Sequence, residues 1–420
     1  LVLLPKSVSE ISKILSTCNQ HSLKVIPSGG RTGLSGSATA LNEEIVISME
    51  KMNRIIEIDP IGSTITVEAG AILQDVQEAT KAENLYFPLD FAAKGSCQIG
   101  GCLSTNAGGV KVLKYGMTRD IVMGIEVVLA NGEILDLNKK LVKDNSGYKL
   151  EQLFIGAEGT LGIISKATFK CMPIPQNLNL LYLGVERFQN VSDIYSMVKK
   201  SGLDLTAFEF LTDIGVQSVL QAMPQTRQGL SEIYPFQVLI EVNEKNQETL
   251  EKLLEDLSGS GLIEDAAISH NSEMFRDLWT IREAVSDSLY LLGNVHANDV
   301  SIPVASLSAF LDDFEALMKT NYQAFTLGVF GHIGDGNLHI YIIDKNRGPR
   351  EEFETSCHQL DKELFALVQL YDGSISAEHG IGLLKKDSLH FRRSTLEIEL
   401  MRQIKSVFDP KGILNPGKIF

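Results

Sequence analysis

Two thiol arrangements are missing from this chain. Its five cysteines, at 18, 97, 102, 171 and 357, are odd in number and include no C-x-x-C pair, which excludes a disulfide framework and a thiolate zinc site. That usage fits a reducing compartment. No apolar run approaches the roughly 20 residues that cross a bilayer, so no membrane span is expected. Positive charge is also scarce: Lys and Arg number 38 against 53 Asp and Glu, a net charge of −15. Such a balance repels phosphate backbones and anionic lipid surfaces, and a nucleic-acid function is excluded.

What remains is ordinary in hydrophobic and charged content, and 420 residues is enough for two or three domains. The chain begins at Leu1 with VLLPKSVSEISKIL already in mid-pattern. An upstream strand, and any targeting peptide, would therefore lie before it.

The densest signal is Pro88 to Gly109, PLDFAAKGSCQIGGCLSTNAGG. Gly95, Gly100, Gly101, Gly108 and Gly109 alternate there with Ser96, Ser104, Thr105 and Asn106. Missing Cβ atoms let backbone lie against a bulky ligand, and amides and short hydroxyls suit a pyrophosphate with a planar ring. An earlier loop, PSGGRTGLSG from Pro27, offers amides around Gly29, Gly30 and Gly33. It serves equally as a plain turn, and it is not a GxGxxG running straight into a helix, which argues against a nicotinamide fingerprint. A third glycine turn, GAEGTLGIISKATFK from Gly156, feeds a strand.

Around these segments the periodicity predicts a helix over Val8 to Gln20 with capping-box spacing at Ser7 and Glu10. Strands follow at Lys24 to Pro27, Glu44 to Met49, Arg54 to Asp59 and Thr64 to Glu68, with a helix over Ile72 to Glu83. Asn131-Gly132 marks a hairpin between Asp120 to Ala130 and Glu133 to Asp136. This is α+β rather than doubly wound. Beyond the PIP at 173 to 175, strands at Leu203 to Leu211, Phe236 to Val242, Phe325 to Phe330 and Leu338 to Ile343 interleave with helices, including one long helix over Met274 to Leu292. The tail from Phe408, FDPKGILNPGKIF, is too short to fold alone and is expected to return to the first domain.

Two short segments carry titratable chemistry. GHIGDGNLH places His332 and His339 together, and SAEHG adds Glu378 and His379. A lone histidine reads as a hydrogen-bonded structural residue, but two imidazoles and a carboxylate make a ligand set for zinc first, or manganese or iron. Such an ion lowers the pKa of a bound hydroxyl. His379 then takes its proton as base, and the carbon-bound hydrogen leaves as hydride to flavin N5. Arg282, with Ser286 one helical turn on, is a candidate clamp for a substrate carboxylate. The alternative is a solvated arginine pairing with Glu283 or Asp287.

These blocks, with DNSGYKLEQLFIGAEGTLGI and the closing ILNPGK, resemble the flavin dehydrogenases of the vanillyl-alcohol oxidase (PCMH-type) superfamily across essentially the whole chain. The resemblance is to the D-2-hydroxyacid branch, nearest its members acting on D-2-hydroxyglutarate or D-lactate. It implies a PCMH-type FAD-binding domain over 1–172, an α+β substrate (cap) domain with an antiparallel sheet and the metal site over 173–385, and a C-terminal segment, 386–420, packed on the FAD domain.

The same resemblance implies FAD contacts from Pro27, Gly29, Gly30, Arg31, Thr32, Gly33, Leu34 and Ser35. Pro88, Leu89, Gly95, Ser96, Gly100, Gly101, Ser104, Thr105, Asn106 and Gly108 join them, with Glu158, Gly159, Ile163, Ile164 and Asn415. It assigns His332, His339 and Glu378 to the metal, His379 as base, and Arg282 and Ser286 to the substrate carboxylate. The first glycine loop has Arg31 and Thr32 and no histidine, so FAD is expected to be non-covalent. Ser286 stands where Thr is usual. Ala297 and Tyr341 stand where the hydroxyglutarate members resemble one another in having Lys and Asn, which places Tyr341 at the substrate. Losing that lysine removes about 1.5–3 kcal/mol of charged hydrogen bonding.

The implied activity is oxidation of a D-2-hydroxyacid, D-2-hydroxyglutarate first, to the 2-oxoacid. D-lactate or glycolate oxidation is the alternative, and a non-redox synthase of the alkylglycerone-phosphate type is a further one. The expected partners are a small 2-hydroxyacid, an electron acceptor (electron-transfer flavoprotein, quinone or cytochrome) and a second copy of the chain. The expected location is the cytoplasm in a bacterium or the mitochondrial matrix in a eukaryote.

Overall fold

The computed structural model describes residues 1–420, and the chain divides into two compact units. Unit 1 combines Leu1–Gly109, Tyr115–Ile174 and Glu378–Phe420, and unit 2 combines Val110–Lys114 with Pro175–Ala377. The sequence reading set its boundaries at 172/173 and 385/386 and did not anticipate the short excursion at Val110–Lys114.

Unit 1 opens with the helix Val8–His21, capped by Ser7, whose hydroxyl accepts from the Glu10 N–H at 3.3 Å while the Glu10 carboxylate accepts from the Lys6 N–H at 2.7 Å. These bonds satisfy one orphan amide of the first turn and the Lys6 N–H just before the cap, and Ile11, Leu15 and Cys18 follow at helical spacing into the core. Val2–Leu3, Ile45–Ser48 and Val25–Ser28 form a parallel three-stranded sheet in that order. An antiparallel five-stranded sheet runs Ile55–Asp59, Thr64–Glu68, Ile163–Lys170, Val122–Val128 and Ile134–Asp136. The strand expected from Asp120 starts at Val122, because the Asp120 carboxylate caps a helical turn, Thr118–Ile121, by accepting from the Met117 N–H at 2.8 Å. The C-terminal tail does return to this unit: the Val25 N–H donates to Ile413 O at 2.8 Å, and the Asn415 N–H donates to Val25 O at 2.8 Å.

Unit 2 is built on an antiparallel seven-stranded sheet. Its order is Asp265–Ile268, Leu178–Val185, Phe236–Asn243, Leu205–Thr212, Thr326–His332, Asn337–Asp344 and Asn294–Ser301. Leu180, Tyr182, Ala207, Leu211, Leu239, Phe330 and Tyr341 pack from one face against Leu278, Ile281, Val285 and Leu289. The α+β class read from the sequence is the class that forms. One element differs. The single helix expected over Met274 to Leu292 is two, Ser272–Glu283 and Val285–Tyr290, because Ala284, at φ −85° and ψ −6°, ends one and starts the other. Arg282 and Ser286 therefore sit on successive helices rather than one turn apart on a single face.

Candidate functional site

In unit 1 the predicted cofactor segments converge. Pro27 lies in the strand Val25–Ser28, and Gly29 to Ser35 form the loop that follows. A Cβ on Gly30 would stand 2.2 Å from Ser96 O, so this loop lies with its backbone against Ser96 and Cys97. Gly100, Gly101, Ser104 and Thr105 ride the helix Ile99–Thr105, and Asn106 closes it in the left-handed region at φ 52°. The Glu158 N–H donates to Ser104 O at 2.8 Å, Gly159 packs on Pro27, and Ile163 and Ile164 begin the strand behind them. Asn415 donates from Nδ2 to Glu158 O at 2.6 Å. Pro88 and Leu89 follow the short strand Leu85–Tyr86, and Leu89 is buried.

Three features of this cradle fit a bulky polar group such as FAD. Gly33 and Gly101 face open space, with nothing within 4 Å of a Cβ built on them, although Gly30 and Gly100 beside them are tightly packed. Gln98 Oε1 and Asn415 Oδ1 are buried without a hydrogen-bond partner, a state that native structures rarely leave uncompensated. Arg31, Asn106, Glu158 and Asn415 all hold positive φ without being glycine, and such strain concentrates at ligand clamps. Burial pushes the Glu158 carboxyl above its ordinary value, although the Ser37 hydroxyl and the Ile381 and Gly382 N–H groups bond to it.

Unit 2 carries the two glycine-flanked histidines, His332 and His339. In the sheet register Glu209 lies opposite His332, Phe330 opposite His339, Asp299 opposite His339 and Ala297 opposite Tyr341. Directly opposed residues project from the same face, so all of these share one wall. His332 Nδ1 stands 2.8 Å from Glu209 Oε1, and its Nε2 stands 3.4 Å from Nε2 of His339. Behind the second ring, His339 Nδ1 is 3.6 Å from Asp299 Oδ1. Two nitrogens held at about 2.0 Å on a tetrahedral ion lie roughly 3.3 Å apart, so the imidazole pair fits a shared divalent ion. A carboxylate behind each ring is the arrangement that orients metal-binding histidines. Burial alone would lower the His332 pKa, but the charge and hydrogen bond of Glu209 raise it to about 9.

Arg282 is buried, not solvated. Its Nε donates to Glu209 Oε2 at 2.8 Å, and its guanidinium lies 5.0 Å above the Phe330 ring. The pairing with Glu283 or Asp287 offered as the alternative gives way to this internal one. Ser286 and Tyr341 hydroxyls bond to each other at 2.6 Å. Glu378 and His379 directly follow Ala377, whose N–H donates to Asp299 Oδ2 at 3.0 Å.

The sequence reading missed Glu209 and Asp299. It missed a second buried carboxylate as well, Glu241, which pairs with Lys111 and accepts from Trp279 Nε1 at 3.0 Å. A lone acid inside an apolar strand, as in TAFEFLT and FQVLIEVN, was the available signal.

Known proteins bear on both units. Residues 1–138 match the FAD binding domain model, and residues 174–419 match the model for FAD linked oxidases, C-terminal domain. The chain is 41% identical over 422 residues to a Stutzerimonas stutzeri (strain A1501) protein named D-2-hydroxyglutarate dehydrogenase, spanning 100% of this chain and 90% of that one. It is 38% identical to a Schizosaccharomyces pombe protein named putative D-lactate dehydrogenase C713.03, mitochondrial, spanning 100% and 81%. A crystal structure of p-cresol methylhydroxylase superposes with a TM-score of 0.77 over 100% of this chain and 88% of that one, at 15% identity, a likeness of fold alone. No helix is long and apolar enough to cross a membrane.

Proposed function

This chain belongs to the FAD-linked oxidases as an FAD-dependent dehydrogenase of D-2-hydroxyacids, and from that premise we propose that it oxidises D-2-hydroxyglutarate to the 2-oxoacid with the help of a divalent ion. FAD, when bound in the unit 1 cradle, supplies the acceptor for the carbon-bound hydrogen. His332 and His339 would hold the ion, with Glu378 as the third ligand, and such an ion, zinc first, would make the substrate hydroxyl more acidic. His379 receives the hydroxyl proton. Arg282, with Ser286 and Tyr341, binds the C1 carboxylate. The observation that carries the ion is the convergence of two Nε2 atoms at 3.4 Å with a carboxylate behind each ring.

The test is an anaerobic screen of D-2-hydroxyglutarate, D-malate, D-lactate and glycolate for bleaching of the flavin, with and without EDTA. The expected result is fastest bleaching by D-2-hydroxyglutarate, slowed by EDTA and restored by zinc or manganese. Indifference to exhaustive chelation would overturn the metal, and absence of bleaching by every acid would overturn the activity in favour of a non-redox synthase. Acid precipitation should leave yellow FAD in the supernatant, as non-covalent binding requires.

A second reading, D-lactate oxidation, draws on one observation. Ala297, facing Tyr341, brings no cation to this wall. Electrons pass onward to a soluble carrier, with electron-transfer flavoprotein the first candidate. In a eukaryotic source the reading places the protein in the mitochondrial matrix, and in a bacterium in the cytoplasm.

A further inference from the structure

We propose that Glu209 is a positioning residue shared by the imidazole ligands and the substrate clamp, so that ion affinity and hydroxyacid affinity are linked through one carboxylate. The inference rests on the metal reading above and goes beyond it in naming the group that prepares both sites.

Glu209 is 1% exposed and sits between Phe208 and Phe210 in an otherwise apolar strand. A lone carboxylate buried there is costly unless it is fully paired. The structure gives it two partners: His332 Nδ1 lies astride the carboxylate, 2.8 Å from Oε1 and 2.7 Å from Oε2, and Arg282 Nε donates to Oε2 at 2.8 Å.

Each pairing dictates something about its partner. An ionised carboxylate only accepts, so His332 must carry its proton on Nδ1. An ion that displaces the second proton of His332 would then find the lone pair on Nε2, the nitrogen that faces His339 Nε2 at 3.4 Å. Glu209 thus selects the tautomer that ligates. On the other side it takes Arg282 Nε and fixes the guanidinium plane over Phe330. Arg282 Nη2 approaches Glu209 at 2.8 Å but is not aligned with it, and remains a buried donor without a hydrogen-bond partner. A fixed plane with an unspent buried donor is what an incoming carboxylate uses.

The chemistry of the side chain makes the role specific. Glutamine has the same shape but one acceptor and one donor end, so it cannot accept from His332 and Arg282 at once. If it donates to His332 Nδ1, the tautomer inverts and the Nε2 lone pair is lost. Aspartate keeps both acceptors but is one methylene short of reaching both donors.

The experiment uses the FAD-loaded protein as wild type, Glu209→Gln and Glu209→Asp. Three quantities are read: zinc retained against graded chelator, by elemental mass spectrometry; KM and kcat for D-2-hydroxyglutarate and D-lactate at saturating zinc; and the thermal melt. Glu209→Gln is expected to release zinc at 10- to 100-fold lower chelator activity, the usual cost of losing a carboxylate behind a ligand. It should also raise KM at least tenfold while kcat falls less, with Glu209→Asp intermediate in both. A purely structural role would lower the melt and leave zinc retention and the KM-to-kcat split alone. If Glu209→Gln does not fold, Glu209→Asp decides by the same readouts. Zinc held equally by wild type and the folded variant overturns the linkage, as does a change in only one of zinc affinity and KM. Wild type that holds no stoichiometric zinc overturns the metal reading itself, and the linkage with it.

Discussion

Ala297 and Tyr341 stand directly opposite one another on the antiparallel strands Asn294–Ser301 and Asn337–Asp344, and the Tyr341 hydroxyl is bonded to Ser286 at 2.6 Å. The pair presents a methyl and a phenol where a second substrate carboxylate would need a cation. Replacing Ala297 by Lys puts an ammonium on the same sheet face. We expect kcat/KM for D-2-hydroxyglutarate to rise at least tenfold relative to D-lactate, about 1.4 kcal/mol of new charged contact. An unchanged ratio would mean that the distal carboxylate is bound elsewhere.

Two neighbouring glycines separate folding from cofactor binding. A methyl on Gly30 would lie 2.2 Å from Ser96 O, whereas a methyl on Gly101 meets nothing within 4 Å. Gly30→Ala should lower the melting temperature even without cofactor. Gly101→Ala should leave the apoprotein melt unchanged and weaken FAD binding at least tenfold, measured by quenching of flavin fluorescence. Equal FAD affinity in Gly101→Ala and wild type would show that the open space beside Gly101 is not the cofactor's.

Buried phenols set the alkaline limit. Burial pushes the Tyr341 hydroxyl up to about 12, with the Ser286 bond opposing, and burial also raises Tyr182. An unfolded tyrosine ionises near 10. The folded-state value is the higher one, so the stabilisation is complete below pH 10 and is lost as pH climbs through 12. The part of the 295 nm absorbance owed to Tyr341, taken as the difference between wild type and Tyr341→Phe, should therefore rise in step with loss of far-ultraviolet circular dichroism, not before it. Tyr341→Phe should show a shallower alkaline loss. The phenol also stays protonated from pH 6 to 9, so the effect of Tyr341→Phe on KM should be the same at both ends of that range.

Arg282 carries structure as well as recognition. Burial would raise the Glu209 carboxyl, but His332 and Arg282 together hold it below its ordinary value. Arg282→Met removes one of the two partners of a buried charge, a loss of about 3–5 kcal/mol. The unfolding free energy from urea titration should fall by that amount, with KM raised for every hydroxyacid. An unfolding free energy within about 1 kcal/mol of wild type, on the order of a surface pair, would show that Glu209 needs only His332.

Much of unit 1 was legible because its signals are local. The Ser7 cap, the Asn131-Gly132 hairpin and the three glycine turns each need only a few adjacent residues, and the α+β class follows from their alternation with short strands. The segments around His332 and His339 were legible for the same reason, as glycine-flanked histidines in one turn. Glu209 was not, since its meaning lies in partners 73 and 123 residues away that only the sheet register brings beside it. Nor was the break at Ala284, because alanine is a strong helix former and tertiary packing overrides it. The long helix Arg350–Leu370 also went unnoticed in the sequence.

The bridge between Val25 and Leu414 bears on how the protein is made. Unit 1 is assembled from segments that flank unit 2 in the sequence, so its three-stranded sheet gains its last neighbour only after Leu414 has left the ribosome. Unit 2, continuous apart from Val110–Lys114, is complete before then and free to fold first. Pairings of such long sequence separation form slowly, and the glycine loops of unit 1 wait unfinished through translation. Free FAD or a chaperone present during synthesis should thus protect unit 1 selectively, and a ribosome stalled before Leu414 should display a proteolytically resistant unit 2 beside a cleavable unit 1.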